Sequence, residues 1–116
     1  MISNNFIKGL IKPIILKLLA ENGKMYGYEI TRKVEDLTEG KIKLTFGALY
    51  PILHKLEADG IVGTETEMVS NRARVYYLLT EQGKFSAREK IAELEDFVST
   101  LSKLINPEPG LLPCTS

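Results

Sequence analysis

The stretch from Ile61 to Leu79 narrows the folds open to this chain more than any other. Two extended runs, Ile61 to Met68 and Arg72 to Leu79, are joined by Val69-Ser70-Asn71. The second holds Val75, Tyr76 and Tyr77, residue types that suit a pleated, half-buried surface. Together they predict one β-hairpin with a short polar tip, set in a chain otherwise patterned for helix. The expected fold class is mainly α with a small β-hairpin (α+β).

The helical segments bracket that hairpin. From Phe6 to Ala20, apolar residues recur at Ile7, Ile11, Ile14 and Leu18, with a second row at Phe6, Leu10 and Leu19. This is helical spacing, with a stripe too wide for a simple surface helix. Pro13 either kinks this helix or stands in its first turn, the continuous part then starting near Lys12. Asn22-Gly23 ends it. A second helix is expected from Tyr26 to Leu37, with Tyr28, Ile30, Val34 and Leu37 facing inward and Thr38-Glu39-Gly40 closing it. Lys41 to Leu44 alternates polar and apolar residues and is a short strand at most.

Thr45 then reads as the N-cap of a third helix, Phe46 to Asp59, because its hydroxyl can accept from the free amides of the first turn. Leu49, Ile52, Leu53 and Leu56 give that helix its core face, and Gly60 supplies the left-handed residue that stops it. Thr80 caps a last helix. In it Ala87, Ile91, Leu94, Val98, Leu101 and Ile105 step by four, three, four, three and four residues, an a/d seam. Phe97 and Leu104 widen the stripe beyond what one packing partner requires. Ile91, Leu94, Val98, Leu101 and Ile105 are therefore expected to join two copies of the chain into a homodimer.

The order helix, helix, short strand, helix, hairpin, long helix is that of a winged helix-turn-helix. In that arrangement the third helix enters the DNA major groove and the hairpin wing touches the flanking backbone. Residues 1–79 would form the DNA-binding unit and 80–105 the added dimerisation helix. Residues 106–116 lack periodicity and are expected to be a disordered tail.

Length and charge set the remaining bounds. The 116 residues correspond to about one domain. With 44% apolar and 26% charged residues a packed core is available, and a disordered or low-complexity chain is excluded. One cysteine, Cys114, rules out a disulfide framework and fits a reducing compartment, so a cytoplasmic location is expected. The apolar Phe6 to Ala20 stretch is broken by Lys8, Lys12, Pro13 and Lys17 and is too short to span a bilayer, so no membrane partner is expected. Net charge is zero, but the charges segregate. Residues 1–25 carry Lys8, Lys12, Lys17 and Lys24 against Glu21, whereas from residue 80 onward four basic residues face six acidic ones. A basic amino end and an acidic carboxyl end suit one nucleic-acid face and one helix turned elsewhere.

Three segments then become recognisable. Tyr26-Gly27-Tyr28-Glu29-Ile30, the stretch Gly47-Ala48-Leu49-Tyr50-Pro51 through Leu56-Glu57-Ala58-Asp59-Gly60-Ile61, and the junction Tyr76-Tyr77-Leu78-Leu79-Thr80-Glu81-Gln82-Gly83-Lys84 resemble the motifs of PadR-family regulators. The resemblance runs from about Gly9 to Ile105, and the single long last helix is that of the short members of the family. It implies a sequence-specific, mostly repressive transcriptional regulator that binds double-stranded DNA as a homodimer on a pseudo-palindromic operator.

The resemblance also implies which residues meet DNA. Tyr26 belongs to the first motif. Thr45 and Gly47 lie at the amino end of the third helix, where free N–H groups favour a phosphate. Tyr50 falls off the Leu49/Leu53 row, so its ring can pack while its hydroxyl donates to a phosphate. His54 is one turn further on, and Lys55 is the one formally charged base on this helix. Lys reads guanine less well than Arg, so shape and phosphate contacts are expected to carry more of the recognition. Arg72 and Arg74 stand on the wing beside Asn71, and Lys8 and Lys12 match the basic start of the first helix.

Three positions depart from the family. Leu78 replaces a common Arg or Lys, removing one backbone contact, and Pro13 displaces the start of the first helix. Leu94 stands near where multidrug-sensing members place a Trp. With no Trp in the chain, a flat aromatic inducer loses its stacking partner. Leu94 and Phe97 leave room for a smaller apolar cavity, and the identity of any small-molecule inducer stays open.

Competing functions are weaker. An enzyme would need a nucleophile beside a base, a phosphate loop or a metal set. The chain has one His, His54, and one Cys, in the tail, so neither metal nor cofactor is implied. The alternative is a winged-helix module that binds a protein partner without specific DNA readout, favoured by the zero net charge.

Overall fold

A computed structural model of the chain describes residues 2–106. A short helix α1 (Asn4–Ile7) and a 3-10 turn (Lys8–Leu10) lead into α2 (Ile11–Asn22). They are followed by β1 (Met25–Tyr26), α3 (Gly27–Leu37), α4 (Phe46–Ala58), β2 (Val62–Val69), β3 (Arg72–Leu79) and α5 (Glu81–Ile105). The strands form one antiparallel sheet in the order β1-β3-β2. This is a winged helix-turn-helix with an added carboxyl-terminal helix. The tail expectation falls, from residue 107 on, outside the described residues, as does Cys114.

Local chemistry sets the ends of the elements. Pro13 is the third residue of α2, where its missing N–H would have had no helical partner, so the later of the two starts foreseen for this helix is the one adopted. Gly23, at φ +82°, closes α2. Thr45 Oγ1 accepts from the Ala48 N–H (3.2 Å) and starts α4 as its composition foretold. The hairpin turn is Ser70-Asn71, both residues at positive φ, a two-residue turn whose twist matches that of the strands. The tip is thus one residue shorter than expected, because β-branched Val69 stays in the ladder opposite Arg72.

Some inward assignments are overturned. Of the four residues expected inward on α3, Ile30 and Val34 are buried, whereas Tyr28 is 52% and Leu37 66% exposed. Phe6 also lies outside the core. Lys41 to Leu44 is not a strand, and the third strand is β1, whose Met25 and Tyr26 pair with Tyr77 and Tyr76. Two residues are too short a run for alternation to reveal; their pairing is a long-range event.

The core lies where α2, α3 and α4 converge beneath the sheet. Ile15, Leu16, Ile30, Leu49 and Leu53 have no exposed surface, each contributing about 1.5–3 kcal/mol of burial. Ile15 and Leu16, outside the two rows read from the sequence, are the deepest residues of α2, because that helix is covered by α5, α4 and β3 together. The amino end of α5 is fastened to the root of the wing. Thr80 Oγ1 donates to the Gly60 carbonyl (2.6 Å) and accepts from the Gly83 N–H (2.9 Å), while the Thr80 N–H donates to the Ile61 carbonyl (3.1 Å). From there α5 divides its apolar stripe. Ala87 is buried and Ile91 packs on the same core, whereas Val98, Leu101, Leu104 and Ile105 are exposed.

Candidate nucleic-acid interface

Leu49, Leu53 and Leu56 form the buried face of α4. Along the flank of that face Phe46, Tyr50 and His54 follow one another at four-residue spacing, with ring centroids 5.7 and 5.9 Å apart. Tyr50 is half-buried, its hydroxyl end seated against Gly27 at the start of α3. A Cβ at Gly27 would lie 2.2 Å from Tyr50 Oη, so the glycine is what admits the tyrosine. The Tyr26 N–H donates to the Glu29 carboxylate (3.1 Å), which fixes the entry to α3.

The wing completes a groove of about 450 Å³ into which Tyr26, Gly27, Tyr50, Arg72 and Arg74 all face. The Arg74 guanidinium lies 4.2 Å from the centre of the Tyr26 ring, and Tyr76 meets the same ring edge-on at 5.4 Å. Glu67 is the cross-strand neighbour of Arg74, yet its carboxylate goes to Lys24, which also holds Glu65 at 3.2 Å. Hydrogen bonds to Glu67 and Glu65 raise the Lys24 ammonium above its ordinary pKa. Lys24 therefore occupies both acids of the wing. Among the described residues no carboxylate is ion-paired to Arg72 or Arg74, and both remain available to an outside anion. Tyr77, beneath the groove, has its phenol pKa pushed up by burial.

The other expected site residues are placed less uniformly. Thr45 and Gly47 lie exposed at the amino end of α4, beside Phe46. His54 is exposed next to Tyr50, and Lys55, also exposed, is bonded to Asp59 at 3.2 Å. Lys8 sits in the 3-10 turn, and Lys12 lines a separate groove of about 250 Å³ with Pro13, Leu94 and Phe97, against α5. Neither joins the wing groove. Sequence reasoning did not single out Phe46 beside Tyr50, Tyr76 against the Tyr26 ring, or the Lys24 pairing with the two wing acids. A helical-wheel count that places Ile30 and Val34 inward turns Tyr28 to the far side of α3, but nothing local signals the Lys24 clamp. Among the described residues no cluster of His, Cys, Asp or Glu is arranged to hold a metal ion, and no helix is long and apolar enough to cross a membrane.

Residues 15–89 match the model of the "Transcriptional regulator PadR-like family". The chain belongs to the PadR-like family. Its winged helix is similar to that of a transcriptional regulator from Clostridium thermocellum (TM-score 0.78, 29% identity, 91% of this chain and 100% of that one). The transcriptional regulator Rv3488 of Mycobacterium tuberculosis is 33% identical over 91 residues, 78% of this chain and 81% of that one. The crystal structure of Bacillus subtilis PadR in complex with operator DNA aligns with a TM-score of 0.63 and 27% identity, over 69% of this chain and 45% of that one.

In this PadR-like regulator the Gly27–Tyr50 contact is open to test. Gly27→Ala is expected to unseat Tyr50 and cost about 1–3 kcal/mol. Much of that cost should vanish when Tyr50 is also replaced by alanine, a coupling that a double-mutant cycle of urea melts would measure. Additive losses would mean that the tyrosine does not depend on the glycine.

Proposed function

We propose that this PadR-like regulator binds DNA as a homodimer in the cytoplasm, recognises a pseudo-palindromic operator and represses transcription there. The observation that carries this reading is the wing groove, where Tyr26, Tyr50, Arg72 and Arg74 share one open face and both arginines are free of carboxylates. In this reading α4 enters the major groove with Thr45 and Gly47 foremost, and His54 and Lys55 lie further along. The Tyr50 hydroxyl donates to a phosphate, and Arg72 and Arg74 reach the flanking backbone from the wing. The likeness to a PadR protein held on operator DNA supports the same arrangement.

Dimerisation runs through α5. Leu94, Val98, Leu101 and Ile105 meet their counterparts, with Ile91 at the edge where the seam passes into the chain's own core. Two copies of α4 are thereby set about 34–36 Å apart, one turn of DNA. Lys8 and Lys12, at the start of the amino-terminal helices, add basic charge near the duplex. The same seam is where a small-molecule inducer would act: the groove lined by Leu94 and Phe97 opens beside it, and a wedge there would change the spacing of the two α4 helices.

The test is fluorescence anisotropy of a labelled duplex from the region upstream of the gene against a scrambled duplex, with random-sequence selection as a second source of operator. Tight binding to the specific duplex is expected, falling with salt at a log–log slope of about −0.9 per neutralised phosphate, and Arg72→Ala, which removes one contact from each protomer of the dimer, should reduce that slope by about 2. Weak, salt-insensitive binding to every duplex would defeat the reading and leave a protein-binding winged helix.

A further inference from the structure

Phe46 opens α4 with 49% of its surface exposed. Packing within the chain covers about half of the ring and leaves the other half in water. The first turn of a helix favours acidic or small polar side chains, so a bare apolar ring there is unusual. Its neighbour along the helix is Tyr50 (centroids 5.7 Å), whose ring is held in place by its seat against Gly27. Lys55, nine residues further on, is bonded to Asp59. The exposed face of α4 therefore offers no arginine to a guanine, and the group at its amino end, from which a recognition helix reaches base edges, is an apolar ring. Gly47 beside it has open space where a Cβ would stand, so nothing holds the helix end away from an approaching surface.

We propose that Phe46 is a specificity-determining residue that packs on the C5 methyl group of a thymine in each operator half-site. The inference rests on the reading of α4 as the helix that enters the major groove. The thymine methyl is the one apolar group that a base pair presents in that groove, and a phenyl ring is among the side chains suited to it. Tyr50 cannot take the same role, because turning its ring outward breaks the seat on Gly27. His54 lies two turns away and carries polar ring nitrogens.

The experiment replaces each thymine of a selected operator singly with deoxyuridine, which keeps every hydrogen-bonding group and removes only the methyl. The dimeric, full-length protein is expected to show one symmetry-related thymine at which the loss in one half-site weakens binding about fourfold, and in both about fifteenfold, the value of one and two buried methyl groups. Phe46→Ala, with folding checked by circular dichroism and melting, should bind the thymine and uracil operators alike. Phe46→Leu, still apolar, should retain part of the discrimination. Uniform tolerance of uracil by the wild type, or undiminished discrimination by Phe46→Ala, overturns the inference while operator binding itself survives. Failure to select any operator overturns this inference and the DNA-binding function together.

Discussion

Gly83→Ala is expected to destabilise the fold by about 3 kcal/mol, the upper end of what overpacking costs, and to lower Tm by about 10 °C at fixed protein concentration. The cause is local and has little room to relax. A Cβ on Gly83 would lie 1.9 Å from the carbonyl oxygen of Ile61 and 2.9 Å from its carbon, and both are backbone rather than the movable end of a side chain. That carbonyl already accepts the Thr80 N–H, and Thr80 Oγ1 bridges Gly60 and Gly83. Pushing the first turn of α5 away thus breaks its cap, worth about 1 kcal/mol, and lifts Ala87 from the core. Thermal melts of wild type and variant would decide it. A variant that melts within about 2 °C of wild type would show that the junction yields more easily than its distances imply.

Leu101→Glu is expected to abolish dimerisation and, with it, operator binding by about 10²–10⁴-fold, the gain that a second linked half-site supplies. Leu101 is 39% exposed on the single chain, between Val98 and Ile105, with Phe97 and Leu104 widening the same stripe. Nothing among the described residues covers this end of α5, whose first half is held by α2. A carboxylate placed there costs the isolated chain little but is desolvated beside its own symmetry mate in a dimer. Analytical ultracentrifugation would show the monomer and anisotropy the lost affinity. A variant that stays dimeric would remove the α5 seam from the account, whereas a monomer that still binds the full operator tightly would remove the two-half-site mechanism.

Much of this architecture is legible along the chain because it is local. Thr45 caps α4 with its own side chain, Gly23 and Gly60 end helices by adopting positive φ, and the Val75-Tyr76-Tyr77 run marks a strand without reference to anything distant. The same holds for Pro13: its missing N–H is tolerated in the first turn of α2, one of the two readings its place in the sequence allows. The tyrosines show where such reading ends. Tyr28 carries the apolar bulk of a core residue and lies exposed, while Tyr77, two positions from the exposed Val75, is buried. Both outcomes depend on which element comes to lie against which face.

The family motifs were legible too, since they name residue types at fixed spacing, but their geometry was not. That Gly27 exists to seat Tyr50, that Arg74 rests on the Tyr26 ring, and that Lys24 draws Glu65 and Glu67 away from the arginines are contacts between residues 23 to 48 positions apart in the chain. The division of α5 is of the same kind: its a/d periodicity is continuous from Ala87 to Ile105, yet the first turns are buried by α2 and the last are bare. Periodicity alone determined that α5 has an apolar face and that α4 has an outward one. Which parts of those faces the chain covers for itself was decided only by the tertiary fold, because a side chain's spacing follows from the local helix while its partner is set by how distant elements pack.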